Sequence, residues 1–155
     1  MGSSTYYEFK LSIPTYAWIV LIVVCITLII VSLIIILPVI LFKIRLDSEE
    51  IYAGAPLAPS IRVRKSDIVS MSFVNLSRHP ELRPTLRLLG VGLPGLKIGW
   101  FKLTNGSKAF LAINTWDGEA LVVKLRSNTL VILSPKNFND FKSKLQLLGW
   151  VKPSS

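Results

Sequence analysis

The stretch Ile98-Gly99-Trp100-Phe101-Lys102-Leu103-Thr104-Asn105-Gly106-Ser107-Lys108-Ala109-Phe110-Leu111-Ala112-Ile113-Asn114 sets two apolar, aromatic-containing runs on either side of an Asn-Gly pair. Short runs of this kind suit a pleated surface, and Asn-Gly supplies the positive φ angles that a tight hairpin needs. Ile98 to Leu103 and Lys108 to Asn114 are therefore expected to be antiparallel strands. Working outward, Asp117-Gly118 and Ser127-Asn128 are the next two turn signals. Further strands are expected at Ile61 to Arg64, Ile68 to Val74, Thr85 to Leu89, Ala120 to Leu125 and Thr129 to Leu133. Three successive hairpin turns, with Asn105, Gly106, Asp117 and Gly118 in structural roles, predict an antiparallel meander.

The pattern then changes period. Phe138, Phe141, Leu145 and Leu148 recur at helical spacing, with Lys136, Asp140, Lys142 and Lys144 among the remaining positions. Ser134-Pro135 reads as a cap followed by proline at the first helical position, and Gly149 as the stop. Such a stripe packs over an open end of a sheet.

N-terminal to the β domain, 32 consecutive residues from Leu11 to Phe42 carry no charge, whereas all but two of the 27 acidic and basic side chains fall from Lys43 onward. Ala17 to Leu37 is almost all Ile, Val and Leu, and a bilayer core of ~30 Å needs about 20 such residues as a helix. The run exceeds the ~7–15 residues of a signal-peptide core, and no convincing cleavage site follows between Ile44 and Ile51. Pro14 suits the first turn, Tyr16 and Trp18 an aromatic belt, and Pro38 a kink or stop. Only Lys10 precedes the run, while Lys43 and Arg45 follow it, so the bias in positive charge places the C-terminal domain in the cytoplasm, softened by Asp47, Glu49 and Glu50. The expected organisation is a short tail over 1–10, a single-pass transmembrane region over 11–43, a linker over 44–60, a β domain with its C-terminal helix over 61–149, and a tail over 150–155. The linker reading rests on Ala53-Gly54-Ala55-Pro56-Leu57-Ala58-Pro59-Ser60.

About seven short strands closed by one C-terminal amphipathic helix is a recognisable layout. The segment RPTLRLLGVGLPGLKIGWFKLTNGSKAFLAI, from Arg83 to Ile113, and the later LSPKNFNDF resemble the prokaryotic pleckstrin-homology-like domains of membrane-anchored bacterial and archaeal proteins. Gly90, Gly92, Pro94, Gly95, Gly99, Asn105 and Gly106 carry the resemblance, which spans Ile61 to Leu148. It implies a mainly-β barrel that acts as a binding or assembly module without catalytic residues.

Competing chemistry finds little support. Gly90-Val91-Gly92-Leu93-Pro94-Gly95 fits the dinucleotide fingerprint, but that motif requires a helix next, and a strand is expected from Ile98. His79, the single histidine, precedes Pro80 in a polar connection and has no positioned nucleophile. The acids are scattered, metal-ligand spacings are missing, and Cys25 lies within the apolar run with no second cysteine to pair with. No enzyme activity and no cofactor are expected. Asn75-Leu76-Ser77 and Asn105-Gly106-Ser107 are glycan acceptors only if the domain faces outside.

What remains is charge: the chain from Lys43 onward holds 17 Lys and Arg against 8 acids. Tethered to a bilayer, such an excess favours anionic surfaces, at about 1 kcal/mol per basic residue close to an acidic leaflet. Arg62, Arg64, Lys65, Arg78, Arg83 and Arg87 are the candidate contacts with anionic lipid head groups or a membrane-protein partner. Nucleic acid is disfavoured because Arg78 to Arg87 lacks interleaved aromatics. The expected function is a membrane-anchored, non-enzymatic binding or scaffolding module. The alternative is a small single-pass accessory subunit of a larger membrane complex.

Overall fold

The computed structural model describes Tyr7, Phe9 and residues 12–151, so Lys10 and most of the 1–10 tail lie outside the described residues. The chain divides into two units, Met1–Leu37 and Pro38–Ser155. Helix α1, Thr15–Ile40, accounts for the first and runs slightly past its boundary. At 1.5 Å per residue its length is about 39 Å, enough to cross a ~30 Å hydrocarbon core. It is the one described helix long and apolar enough for that, and its side chains are exposed along nearly its whole length. Thr27 donates its hydroxyl to the Val23 carbonyl at 2.8 Å, which satisfies one of the helix's few polar side chains within the helix itself. Pro38 sits inside the last turn without ending the helix.

The second unit opens with three strands, β1 (Lys43–Leu46), β2 (Glu50–Gly54) and β3 (Ile61–Arg64), paired antiparallel in that order. The segment expected to be a linker over 44–60 thus contains two strands, and the domain begins two residues after α1. Alternation explains them: Ile44, Leu46, Ile51, Ala53, Ile61 and Val63 turn inward, while Lys43, Arg45, Tyr52, Arg62 and Arg64 turn out. The acidic Asp47–Glu50 run that masked the pattern is itself a turn. Asp47 N donates to Glu50 O at 2.9 Å, and Ser48 N donates to Asp47 Oδ1 at 2.6 Å.

Six more strands follow: β4 (Ile68–Asn75), β5 (Pro84–Leu93), β6 (Leu96–Leu103), β7 (Lys108–Ile113), β8 (Glu119–Leu125) and β9 (Leu130–Ser134). They form one sheet in the order β4-β8-β9-β7-β6-β5, in which only β7 and β9 run parallel. Among the described residues the domain therefore has nine strands in two sheets, two more than expected, and of the expected meander the β6–β7 and β8–β9 hairpins are present while the β7–β8 pairing is not. Asp117-Gly118 does not close a hairpin, because β9 lies between β7 and β8. The β8–β9 hairpin folds back on itself and inserts its second strand beside β7.

Two turns that were expected are present in a different form. Gly106 has φ +80 but Asn105 does not share it; Gly106 N donates to Leu103 O and Leu103 N to Ser107 O, both at 2.9 Å. This is a three-residue loop with one left-handed residue rather than a two-residue turn. Asn128, at φ 60, closes the β8–β9 hairpin in the same way, through Asn128 N to Leu125 O and Leu125 N to Thr129 O. Both Asn-x-Ser triplets have local work: Asn75 Oδ1 and Asn105 Oδ1 each accept from the backbone N–H two residues on.

The central strands of the six-stranded sheet, β7, β8 and β9, are buried on both faces. Phe110, Ala112, Leu121, Val123, Val131 and Leu133 pack against the three-stranded sheet and helix α2 (Phe138–Leu147). Their neighbours Ala109, Leu111, Ile113, Ala120 and Ile132 pack beneath Leu76 and Leu82 of the β4–β5 connection. In α2, Phe141 and Leu145 are buried and Phe138 is half-buried, as the helical spacing predicts. Ser134 is not its cap. It ends β9, buried, and donates to Glu119 O at 2.7 Å, while Asn137 takes the cap position. Gly149, φ +70, does stop the helix: Trp150 N donates to Leu145 O and Gly149 N to Gln146 O. The last segment is tied rather than a free tail at its start, since Trp150 Nε1 donates to Asp47 O at 2.7 Å.

Candidate functional site

The six candidate cations do not converge on one cluster. Arg62 and Arg64 stand exposed on β3, in the three-stranded sheet. Lys65 is engaged in holding α2: its Nζ donates to Leu148 O at 3.3 Å and lies 4.9 Å from the Trp150 ring. Arg78 and Arg83 sit in the β4–β5 connection and Arg87 on β5, the edge strand opposite β4. Asp117 and Gly118 lie in the β7–β8 crossover, where Asp117 N donates to Thr115 Oγ1 at 3.2 Å.

Two side-chain arrangements emerge that involve residues outside that set. On the outer face of the three-stranded sheet, Arg45, Tyr52 and Arg62 are directly opposite one another across the ladder, so they form one row. The Arg62 guanidinium lies 5.6 Å from the Tyr52 ring centre, a contact of about 0.5–1 kcal/mol when exposed. Gly54 makes room for that ring, since a Cβ there would meet Tyr52 Oη at 2.7 Å. Lys43, Arg45 and Arg62 share this concave surface with Asp47 and Glu50, so its charge is mixed. The alternation Lys43-Ile44-Arg45-Leu46 was the signal for it.

The second arrangement is the β5–β6 hairpin. Register places Leu86, Leu89, Val91 and Leu93 opposite Lys102, Trp100, Ile98 and Leu96 on one face, and Arg87, Gly90 and Gly92 opposite Phe101, Gly99 and Lys97 on the other. Leu86, Leu89 and Leu93 remain 57%, 60% and 52% exposed. Leu88, in the bulge between Arg87 and Leu89, is exposed as well. The ribbon is pinched where Gly90 faces Gly99, both at strongly positive φ (+130 and +124). A Cβ on either would strike the other strand's backbone, the Ile98 or the Leu89 carbonyl oxygen. Pro94-Gly95, with Gly95 at φ +78, turns the chain into β6, so the glycine-rich fingerprint closes a hairpin and leads into no helix.

Charge around this hairpin is of one sign. From Leu82 to Trp116 the chain has no acid and carries Arg83, Arg87, Lys97, Lys102 and Lys108. Among the described residues the ion pairs are Lys142–Glu119 and Lys144–Asp140, with Glu81 hydrogen-bonded to His79, so none of those five cations is neutralised by a neighbouring carboxylate. Lys108 instead lies 4.6 Å from the Trp100 ring.

Elsewhere the surface offers modest chemistry. A groove of about 500 Å³ is lined by Phe42, Ile44 and Leu46, by Leu96 and Ile98 of β6, and by Phe141 of α2, with Asp140 and Lys144 among its polar residues. His79 Nδ1 lies 2.7 Å from Glu81 Oε1, and this hydrogen bond holds the Glu81 carboxyl below the usual carboxylate range. Among the described residues no three His, Cys, Asp or Glu side chains form a group able to hold a metal ion.

The comparisons with known proteins bear on the domain as a whole. The family model for the bacterial PH domain matches residues 42–148. No curated protein and no solved structure matches the chain. The matched range opens just ahead of β1 and closes with α2, which extends the resemblance first carried by Arg83–Ile113 back over the two strands that had read as linker. The β domain and its closing helix thus form one family unit, and the chain belongs to the bacterial PH domain family.

Proposed function

We propose that this protein is a single-pass, membrane-anchored binding module that works without catalysis, presenting a basic PH-like domain to anionic groups at the membrane face. The observation that carries this reading is the junction: a helix long and apolar enough to span a bilayer is separated from a basic binding-type domain by only Leu41 and Phe42. So short a link keeps the domain tethered at the membrane, and each cation that comes within ~8 Å of an acidic leaflet feels it at physiological salt. Lys43 and Arg45, immediately after the helix, support a cytoplasmic position for the domain.

The test is extraction and capture of the tagged full chain from its native membrane. The protein should resist alkaline extraction, come through mild detergent without a stoichiometric partner, and bind anionic more than neutral vesicles with an advantage that shrinks as salt rises. Release at alkaline pH would remove the anchor from this reading. Partners retained in fixed ratio would replace it with the accessory-subunit reading.

A further inference from the structure

The hairpin β5–β6 combines three properties that rarely coincide on a surface with no role. Its edge strand exposes four leucines, Leu86, Leu88, Leu89 and Leu93, on one continuous strand. Cations flank that edge on both faces of the ribbon: Arg87 and Lys97 on the side of Phe101, Lys102 and Lys108 on the side of Trp100. No acid lies between Glu81 and Asp117 to offset them. Exposed apolar patches rimmed by one sign of charge mark contact surfaces, and leucine beside Lys and Arg is the composition of segments that lie in the headgroup layer. Long basic side chains can then snorkel, their stems among the apolar groups and their charges at phosphate depth.

Two candidate occupants differ in what they demand. Strand addition by a second copy requires a regular ladder edge, but β5 carries two register shifts, between Pro84 and Leu86 and between Arg87 and Leu89, and Gly90 adds a backbone outlier at φ +130. A second copy would also bring ten cations into one contact with no acid from either segment. An anionic bilayer demands neither regular register nor protein carboxylates. It takes up the leucines as hydrocarbon and meets the cations with phosphate.

We infer that the β5–β6 hairpin is a second, reversible membrane contact of this chain, entering an anionic headgroup layer edge-first through Leu86, Leu88, Leu89 and Leu93 with Arg87, Lys97, Lys102 and Lys108 on its flanks. The inference rests on the membrane-anchored reading above. It adds a docked state in which the domain lies on the leaflet, with the pinch at Gly90 and Gly99 shaping the ribbon that enters.

The full chain decides this in nanodiscs of neutral phosphatidylcholine and in discs containing phosphatidylglycerol. A spin label is placed at Leu93→Cys in a Cys25→Ser background, and at Val69→Cys on the opposite sheet edge as a water-exposed control. In anionic discs the Leu93 label should become at least fivefold less accessible to a water-soluble relaxation agent and more accessible to oxygen, with the Val69 label unchanged. The double variant Arg87→Glu, Lys97→Glu should abolish the change. Equal accessibility in the two kinds of disc would overturn the inference, and so would protection that appears only with two copies per disc, which would assign the edge to self-association. Failure of the anchored reading looks different: the chain would not co-elute with discs at all.

Discussion

β4 and β5 are the two outer edges of one six-stranded sheet, yet they are finished in opposite ways. Along β4 the outward residues include Ser70 and Ser72, Val69 sits in a bulge, and α2 leans on the strand. There Phe73 meets Phe138 edge to face at 5.9 Å, and Lys142 stands 4.9 Å from the Phe73 ring. Along β5 bulges interrupt the ladder, but none of the described residues covers the leucines. Both edges are thus protected against strand addition, but α2 packs on the β4 side while the β5 leucines stand in water. The difference separates two problems a sheet edge poses, unpaired backbone and exposed hydrocarbon, and shows that this chain leaves the second unsolved on the side where its cations gather.

The largest test of that contrast is to remove one side chain from the helix that covers the β4 side and one from the β5 edge. Phe141→Ala, on the buried face of α2, should cost about 3–4 kcal/mol by leaving a cavity in the core. Leu89→Ala should cost under about 0.5 kcal/mol, since that side chain is already mostly in water. Paired denaturant titrations of the full chain in detergent measure both. Similar losses would mean that the β5 leucines are core in solution, and the contrast would collapse.

Slightly smaller effects come from the ribbon's geometry. Gly99→Val forces a β-branched residue to φ +124 with Gly90 Cα 2.8 Å from the new Cβ, and should cost about 3 kcal/mol. Gly149 has a comparable left-handed φ of +70 but nothing within 4 Å, so Gly149→Ala should cost only about 1 kcal/mol, the strain alone. Thermal midpoints that rank the two the other way would show that the pinch relaxes freely.

The smallest effect lies in the middle of the β4–β5 connection. His79 donates to Glu81 and depresses its carboxyl pKa, so whatever stability this pair adds is present above the ordinary carboxylate range and lost as pH falls through the folded value. In His79→Ala the Glu81 titration, followed by carboxyl NMR, should move upward toward the ordinary value with no change in unfolding midpoint. A Glu81 titration unmoved by the substitution would assign the depression to another group.

How much was legible follows from the range of the signals. Strand β3 was readable to the residue and β6 to within two, because alternation and flanking turn residues are local. β1 and β2 were hidden by Asp47, Glu49, Glu50 and two prolines, whose composition outweighed a four-residue alternation. The Asp117-Gly118 error has the same root: a turn signal says that the chain reverses, and says nothing about which strand it reverses onto. For the candidate site, the net basic charge was visible, whereas the division of labour among the cations was not. Lys65 reads like its neighbours Arg62 and Arg64 in sequence, and only the approach of Leu148 and Trp150 gives it a structural task.

By itself, the sequence determined what depends on neighbours along the chain: the apolar helix, most strands, the amphipathic stripe of α2, the Gly149 stop and the charge balance. The tertiary structure alone decided what depends on residues far apart. It inserted β9 between β7 and β8, built the Arg45-Tyr52-Arg62 row from three strands, and set Gly90 against Gly99. It also left the leucines of β5 uncovered, because burial is a property of what packs above a residue, and at that edge none of the described residues does.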